Sequence, residues 1–252
     1  MNKSNKNFRQ KLLKAIKLNN IETVKTMLEK NNIDLKFWED PTEVMVELLN
    51  KDYIEMFKLL MKQEIDLDPD CIDNSKVLIL ASTNGYIEIV KLLLDFKINP
   101  NVKDNNKSTG LTIACENGDI EIVKLLLKSN ANPNIRNRNE NTGLIIACEN
   151  EEEEIVKLLL DSKADLNIKG ENEYTALIAA VANENKKIIK LLLDSKADLD
   201  IKNIDGITPL MLATENGNIE VVKLLLNFKL DIDMQDKIGR TALIIGCENK
   251  EK

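Results

Sequence analysis

No histidine occurs among the 252 residues of this chain. That absence excludes the serine–histidine–acid and cysteine–histidine nucleophile systems, and every zinc site built on imidazole. Nine glycines are present, but none gather into a phosphate-cradling loop, and the four cysteines form no Cys-x-x-Cys pair. Uninterrupted apolar runs are only a few residues long, too short for a membrane-spanning helix. The N-terminus lacks the long apolar segment of a secretory signal. Paired carboxylates are plentiful, but on an exposed repeat surface they are solvated charge. The sequence therefore reads as a non-enzyme, with no catalytic residue, no cofactor and no metal site expected.

What remains is a soluble, folded composition, 43% hydrophobic and 31% charged. Its charge is uneven. Residues 1–37 carry nine Lys/Arg and three Asp/Glu, a net of +6, whereas the rest carries −13. An acidic body argues against nucleic acid as a partner, because phosphate binding needs clustered Lys/Arg. Cys115, Cys148 and Cys247 hold one repeat position, so neighbours should lie about 10 Å apart if their helices pack normally, beyond disulfide reach. With Cys71 they read as reduced packing residues in a cytoplasmic protein, or a nuclear one.

The strongest signal is a period. Lys25, Lys58, Lys91, Lys124, Lys157, Lys190 and Lys223 follow one another at 33-residue intervals. Around them the text nearly repeats, as in Ile87–Leu94, Ile120–Leu127 and Ile219–Leu226. Units opened at the turn run 5–37, 38–70, 71–103, 104–136, 137–169, 170–202 and 203–235, with a half unit at 236–252. The third to seventh begin with a polar stretch suited to a turn. From the fourth unit on, Thr-x-Leu-x-x-Ala follows: Thr109/Leu111/Ala114, Thr142/Leu144/Ala147, Thr175/Leu177/Ala180 and Thr208/Leu210/Ala213. The threonine predicts an N-cap, and leucine and alanine three apart share one helical face. Asn84-Gly85, Asn117-Gly118 and Asn216-Gly217 predict helix ends. The second helix is apolar over most of its circumference, with Glu121 and Lys124 paired on the polar stripe. Such a helix must be sandwiched between neighbours.

Gly206-Ile-Thr-Pro-Leu-Met-Leu-Ala213, followed by Asn216-Gly-Asn-Ile-Glu-Val-Val-Lys-Leu-Leu-Leu226, closely resembles the ankyrin-repeat pattern. The resemblance extends over residues 5–252. It implies an all-α repeat solenoid of stacked helix-turn-helix units with β-hairpin-like loops, and a hollow side that binds proteins. The expected organisation is a single domain, 1–252, with degenerate capping repeats at 5–70, five clear repeats at 71–235 and the half repeat at 236–252. The chain departs from the family at two places. Where a histidine follows Thr-Pro-Leu, Thr112, Ile145, Ile178, Met211 and Ile244 stand instead, so apolar packing should replace a polar cross-link. Where a glycine follows the second helix, Lys97, Asn130, Lys163, Lys196 and Lys229 stand, and a left-handed lysine costs on the order of 1 kcal/mol. The bulky pairs Phe96/Ile98 and Phe228/Leu230 could staple the loops that lack glycine.

Two surfaces qualify for a partner. Glu116, Glu149, Glu215 and Glu248 share the last turn of the first helix, a position that in the family lines the hollow side. Glutamate there opposes the helix dipole at about 0.3–1 kcal/mol each, so an acidic ladder facing a basic partner is one reading. Copying of Cys-Glu-Asn by repeat duplication is the other. At the turn tips, Tyr174, Ile204 and Ile238 place apolar groups near solvent beside Arg138 and Arg240, a mixture suited to interface anchors. Ile207 is expected to pack on the neighbouring hairpin. Glu151–Glu154 reads as an anionic helix N-terminus rather than a cation or peptide site. The basic start, with Phe8, Leu12 and Ile16 on one face, reads as a cap helix, with a membrane-surface tether or targeting peptide as the alternatives. Asp40-Pro41 predicts a helix start, and Phe37-Trp38 packing within the cap. After the first helix of the half unit, Glu248–Lys252 is either a minimal solvated cap or a point at which the natural protein continues. Function is thus expected to be binding of another protein, with a basic surface, through the hollow face and turn tips. An adaptor or inhibitor module with an effector beyond the C-terminus is the alternative. A monomer is the default expectation.

Overall fold

A computed structural model describes the backbone of residues 3–31, 41–61 and 72–249. Phe37, Trp38, Asp40, Cys71 and Lys250–Lys252 lie outside these. Two compact units, Met1–Asn99 and Pro100–Lys252, are described in turn.

The first unit contains α1 (Lys3–Lys17), α2 (Ile21–Asn31), α3 (Pro41–Asn50), α4 (Ile54–Met61), α5 (Ile72–Thr83) and α6 (Ile87–Asp95). Four-residue spacing puts Leu12 and Ile16 on one face of α1, where both are buried, while Lys11, Lys14 and Lys17 stay exposed. α1 packs on α2. First helices stack on first helices, α3 on α5, and second on second, α2 on α4. Met45, Leu48, Phe57 and Leu60 fill the space between.

The second unit repeats this arrangement with α7 (Gly110–Asn117), α8 (Ile120–Lys128), α9 (Gly143–Glu149), α10 (Glu153–Asp161), α11 (Ala176–Ala182), α12 (Lys186–Asp194), α13 (Pro209–Glu215), α14 (Ile219–Leu226) and α15 (Ala242–Glu248). Each first helix starts at a threonine whose Oγ accepts the N–H three residues on: Thr109, Thr142, Thr175, Thr208 and Thr241. Where the family's histidine is missing, Ile145, Ile178 and Met211 are buried, and Thr112 closes a capping box with Thr109. Small residues let the helices approach closely. A Cβ on Gly143 would sit 3.0 Å from Cys115 Sγ, so the buried cysteine and the next repeat's glycine fit as a pair.

Loops carry their own order. In each hairpin-like tip the first residue's N–H donates to the carbonyl four residues on, as in Asp104 to Ser108 (2.9 Å) and Asn137 to Asn141 (3.0 Å). Behind the second helices runs a ladder of side-chain oxygens between repeats. Asn101 Oδ1 accepts from Asn132 N–H, Asn134 from Asp165, Asn167 from Asp198, and Asp200 from Asp231. This ladder explains the Asn/Asp richness that sequence alone assigns to turns.

Backbone handedness settles the missing glycines. Lys97, Asn130, Lys163 and Lys196 have φ of 61°, 63°, 59° and 68°, so four of the five sites are left-handed. Lys229 escapes: α14 ends at Leu226 with Phe228 N–H bonded to Leu225, a different exit. The left-handed Lys97 sits between half-buried Phe96 and buried Ile98, the arrangement the stapling idea describes, whereas Lys229, between Phe228 and Leu230, has no left-handed strain to offset. After the first helix, Gly118 and Gly217 are left-handed as expected, but Glu151 and Glu184 take the same conformation without glycine.

Candidate functional site

In two repeats the last turn of the first helix and the fifth residue of the tip meet in space. In the fifth unit of the chain Asn141 Nδ2 donates to the Glu149 carboxylate at 3.4 Å. In the eighth, Arg240 Nη1 donates to Glu248 at 3.2 Å while its Nε donates to Asp236 at 2.8 Å. By the 33-residue register Ser108 and Glu116, Tyr174 and Ala182, and Ile207 and Glu215 hold the corresponding positions. Two columns of side chains thus run along one face of the second unit.

The four glutamates are all exposed but not equivalent. Glu248 is neutralised by Arg240. Glu149 sits among enough protein that poor hydration, and then the nearby charge of Glu171, push its pKa upward. Among the described residues Glu116 and Glu215 make no side-chain hydrogen bond or ion pair, and they are the two unengaged rungs of the ladder. Asp236 is buried; desolvation works against its charge, but N–H bonds from Arg240 and Ile238 and the Arg240 guanidinium outweigh it and hold its pKa down.

At the tips, Ile204 and Ile238 are exposed, Ile238 by 76%, Arg138 is exposed and Tyr174 half-buried. Ile207 is buried, as its packing role requires. Neighbouring tips are joined by backbone bonds: Ile204 N–H donates to Asn172 C=O at 2.9 Å and Lys237 N–H to Asp205 C=O at 3.1 Å. A Cβ on Gly206 would lie 2.8 Å from Lys237 N, so that approach needs glycine.

Residue-by-residue reading missed two sets of contacts. Asn141, buried, also accepts from Glu171 N–H at 2.8 Å, and so organises the next tip, where Gly170 supplies no side-chain oxygen of its own. A Cβ on Gly170 would lie 2.2 Å from Asn141 Oδ1. The asparagines after the first helices also work between repeats. Asn150 Nδ2 donates to Glu116 C=O at 3.1 Å, Asn183 to Glu149 C=O at 2.6 Å, and Asn249 to Glu215 C=O at 3.0 Å. Their signal was constancy: asparagine fills this place in every unit from Asn84 to Asn249.

Elsewhere the charges serve stacking. The run Glu151–Glu154 opens α10 and splays: Glu151 accepts from Asn185, Glu153 pairs with Lys187 and Glu154 with Lys124, each at 3.1 Å. Among the described residues no three His/Cys/Asp/Glu side chains converge as a metal site would need. None of the described helices is long and apolar enough to cross a membrane. Burial raises the thiol pKa of Cys115 and Cys148, which keeps them protonated and unreactive.

The family model for ankyrin repeats, in three copies, matches residues 12–104, 42–137, 111–203 and 177–252. No curated protein matches the chain. Ankyrin repeats generally mediate protein–protein interaction and are typically non-catalytic. With the match, the capped helix pairs and the stacked order in agreement, the chain belongs to the ankyrin-repeat family.

Proposed function

We propose that this chain is a non-catalytic scaffold that binds a protein with a basic surface across the hollow face formed by its first helices and turn tips. One observation carries the reading. The asparagines that join one repeat to the next after the first helix stay constant, whereas the fifth residue of the tip, next to the exposed last-turn position, changes from Ser108 to Asn141, Tyr174, Ile207 and Arg240, with Asn141 and Ile207 themselves buried. Structural copying alone would hold both constant. Glu116 and Glu215, unengaged, supply the attraction, and Tyr174, Ile204 and Ile238 the apolar anchors. A preformed face loses little affinity to ordering. Three free cysteines, Cys115, Cys148 and Cys247, support a reducing compartment, the cytoplasm or nucleus.

The test is capture from source lysate by the native chain and by the E116K/E215K chain. A basic protein retained by the native chain alone is expected. Identical partners on both, with both folded by circular dichroism, would overturn the acidic part of the reading and leave the tips.

A further inference from the structure

One helix holds cations and no acid. α1 contains Lys3, Lys6, Arg9, Lys11, Lys14 and Lys17, while all 42 Asp and Glu of the chain follow it. Leu12, Ala15 and Ile16 are buried, and Lys11, Lys14 and Lys17 are exposed. Lys17 pairs with Glu47, whereas Lys11 and Lys14 form no ion pair among the described residues. Leu18 N–H bonds to Lys14 C=O, so the helical course reaches Leu18, which is 68% exposed one turn beyond Lys14 and two beyond Lys11. A bare leucine thus sits among the lysines.

This surface is not an opened stacking face. By the 33-residue register, Lys11 corresponds to Val77, Gly143 and Ala176, and Lys14 to Ile146 and Ala179, all of them buried. Gly143 packs on Cys115 of the preceding repeat. A further repeat packed on α1 in that way would bury two ammonium groups, which is costly unless each meets a carboxylate. Nor does solubility require one sign of charge: the exposed stripes of later helices mix both, as at Glu121/Lys124 and Glu154/Lys157.

A uniform cationic face attracts an anion, and three features select among anions. Five of the six cations are lysine, a mobile point charge suited to a diffuse negative surface; arginine suits paired recognition of single carboxylates or phosphates. The one aromatic residue of α1, Phe8, is half-buried, so no free ring is offered for stacking on bases. An exposed leucine gains little from a phosphate backbone but is drawn into the headgroup layer of a bilayer. We propose that α1 attaches the chain reversibly to an anionic membrane surface, with Lys11 and Lys14 at the headgroups and Leu18 inserted between them. Residues 38–252, at net −13, are repelled by the same surface, which orients the molecule with α1 towards the lipid. The proposal stands on α1 alone and does not rest on the hollow-face reading.

The test is co-sedimentation of the full chain, at physiological salt, with vesicles of phosphatidylcholine containing about 30% phosphatidylserine and with vesicles of phosphatidylcholine alone. Binding to the mixed vesicles only is expected. Lys11→Gln with Lys14→Gln should weaken it about 25-fold, about fivefold for each lysine, and Leu18→Ser roughly 3- to 10-fold. Glutamine keeps the helix propensity of lysine, so the variants fold. Lys157→Gln with Lys190→Gln makes the same change of net charge on second helices and should leave binding within about twofold. Equal weakening by the two lysine pairs would reduce the effect to net charge and overturn the proposal. So would no binding to the mixed vesicles, or equal binding to phosphatidylcholine alone. Tighter binding to duplex DNA than to the mixed vesicles, lost with Lys11→Gln and Lys14→Gln, would overturn it too and make nucleic acid the ligand.

Discussion

Leu177→Ala is expected to lower stability by about 2–5 kcal/mol, and to split the unfolding of the second unit into two steps. Leu177 is fully buried on α11, which packs against both α9 and α13. Alanine there removes the transfer energy of the side chain and leaves a void that two rigid neighbours cannot close. In a repeat stack, stability is a sum of unit terms and nearest-neighbour terms, so weakening one central layer uncouples the two sides. Urea unfolding followed by circular dichroism and by hydrogen exchange would show the split. Leu243→Ala removes the same atoms at the same repeat position, but from solvent, and should stay within about 0.5 kcal/mol. Equal losses from the two would contradict the stacking account.

Lys163→Gly and Lys196→Gly together are expected to raise stability by roughly 1–2 kcal/mol. Both lysines are exposed and left-handed, and among the described residues their side chains make no hydrogen bond or ion pair, while their backbone N–H groups bond to Leu160 and Leu193 C=O, which glycine would keep. Relief of left-handed strain is worth about 1 kcal/mol or more at each, and the larger unfolded-state entropy of glycine takes back about half. The two sites are a repeat apart, so their effects should nearly add. Lys229→Gly is the control. Its φ is not positive, so glycine brings only the entropy cost and a small loss is expected. A gain at Lys229 equal to that at Lys163 would show that something other than handedness is responsible.

These contrasts mark what could be read from the letters. Thr109, Thr142, Thr175 and Thr208 announced helix starts because a cap is a local bond, complete within four residues. The 33-residue lysine period announced stacking because only a neighbour could cover a helix apolar on so many sides. Identical letters hid differences set by position: Leu144 and Leu243 are indistinguishable in sequence, yet one lies inside the stack and the other on its outer face. Lys196 and Lys229 likewise share a register, and only the earlier exit of α14 separates them. The candidate site was legible as a column of glutamates but not as a set of unequal ones. That Asn141 holds Glu149 and Arg240 holds Glu248 depends on contacts eight residues apart, across a loop, which carry no periodic signature.

The central claim is that the first-helix face is the working surface. The most direct measurement is carbodiimide-driven amine labelling of carboxylates, read by mass spectrometry, on the chain alone and with its captured partner bound. The account predicts that Glu116 and Glu215 lose labelling in the complex, while Glu121 and Glu220 on the second helices react as before. Protection of Glu121 and Glu220 with Glu116 and Glu215 still reactive would contradict it.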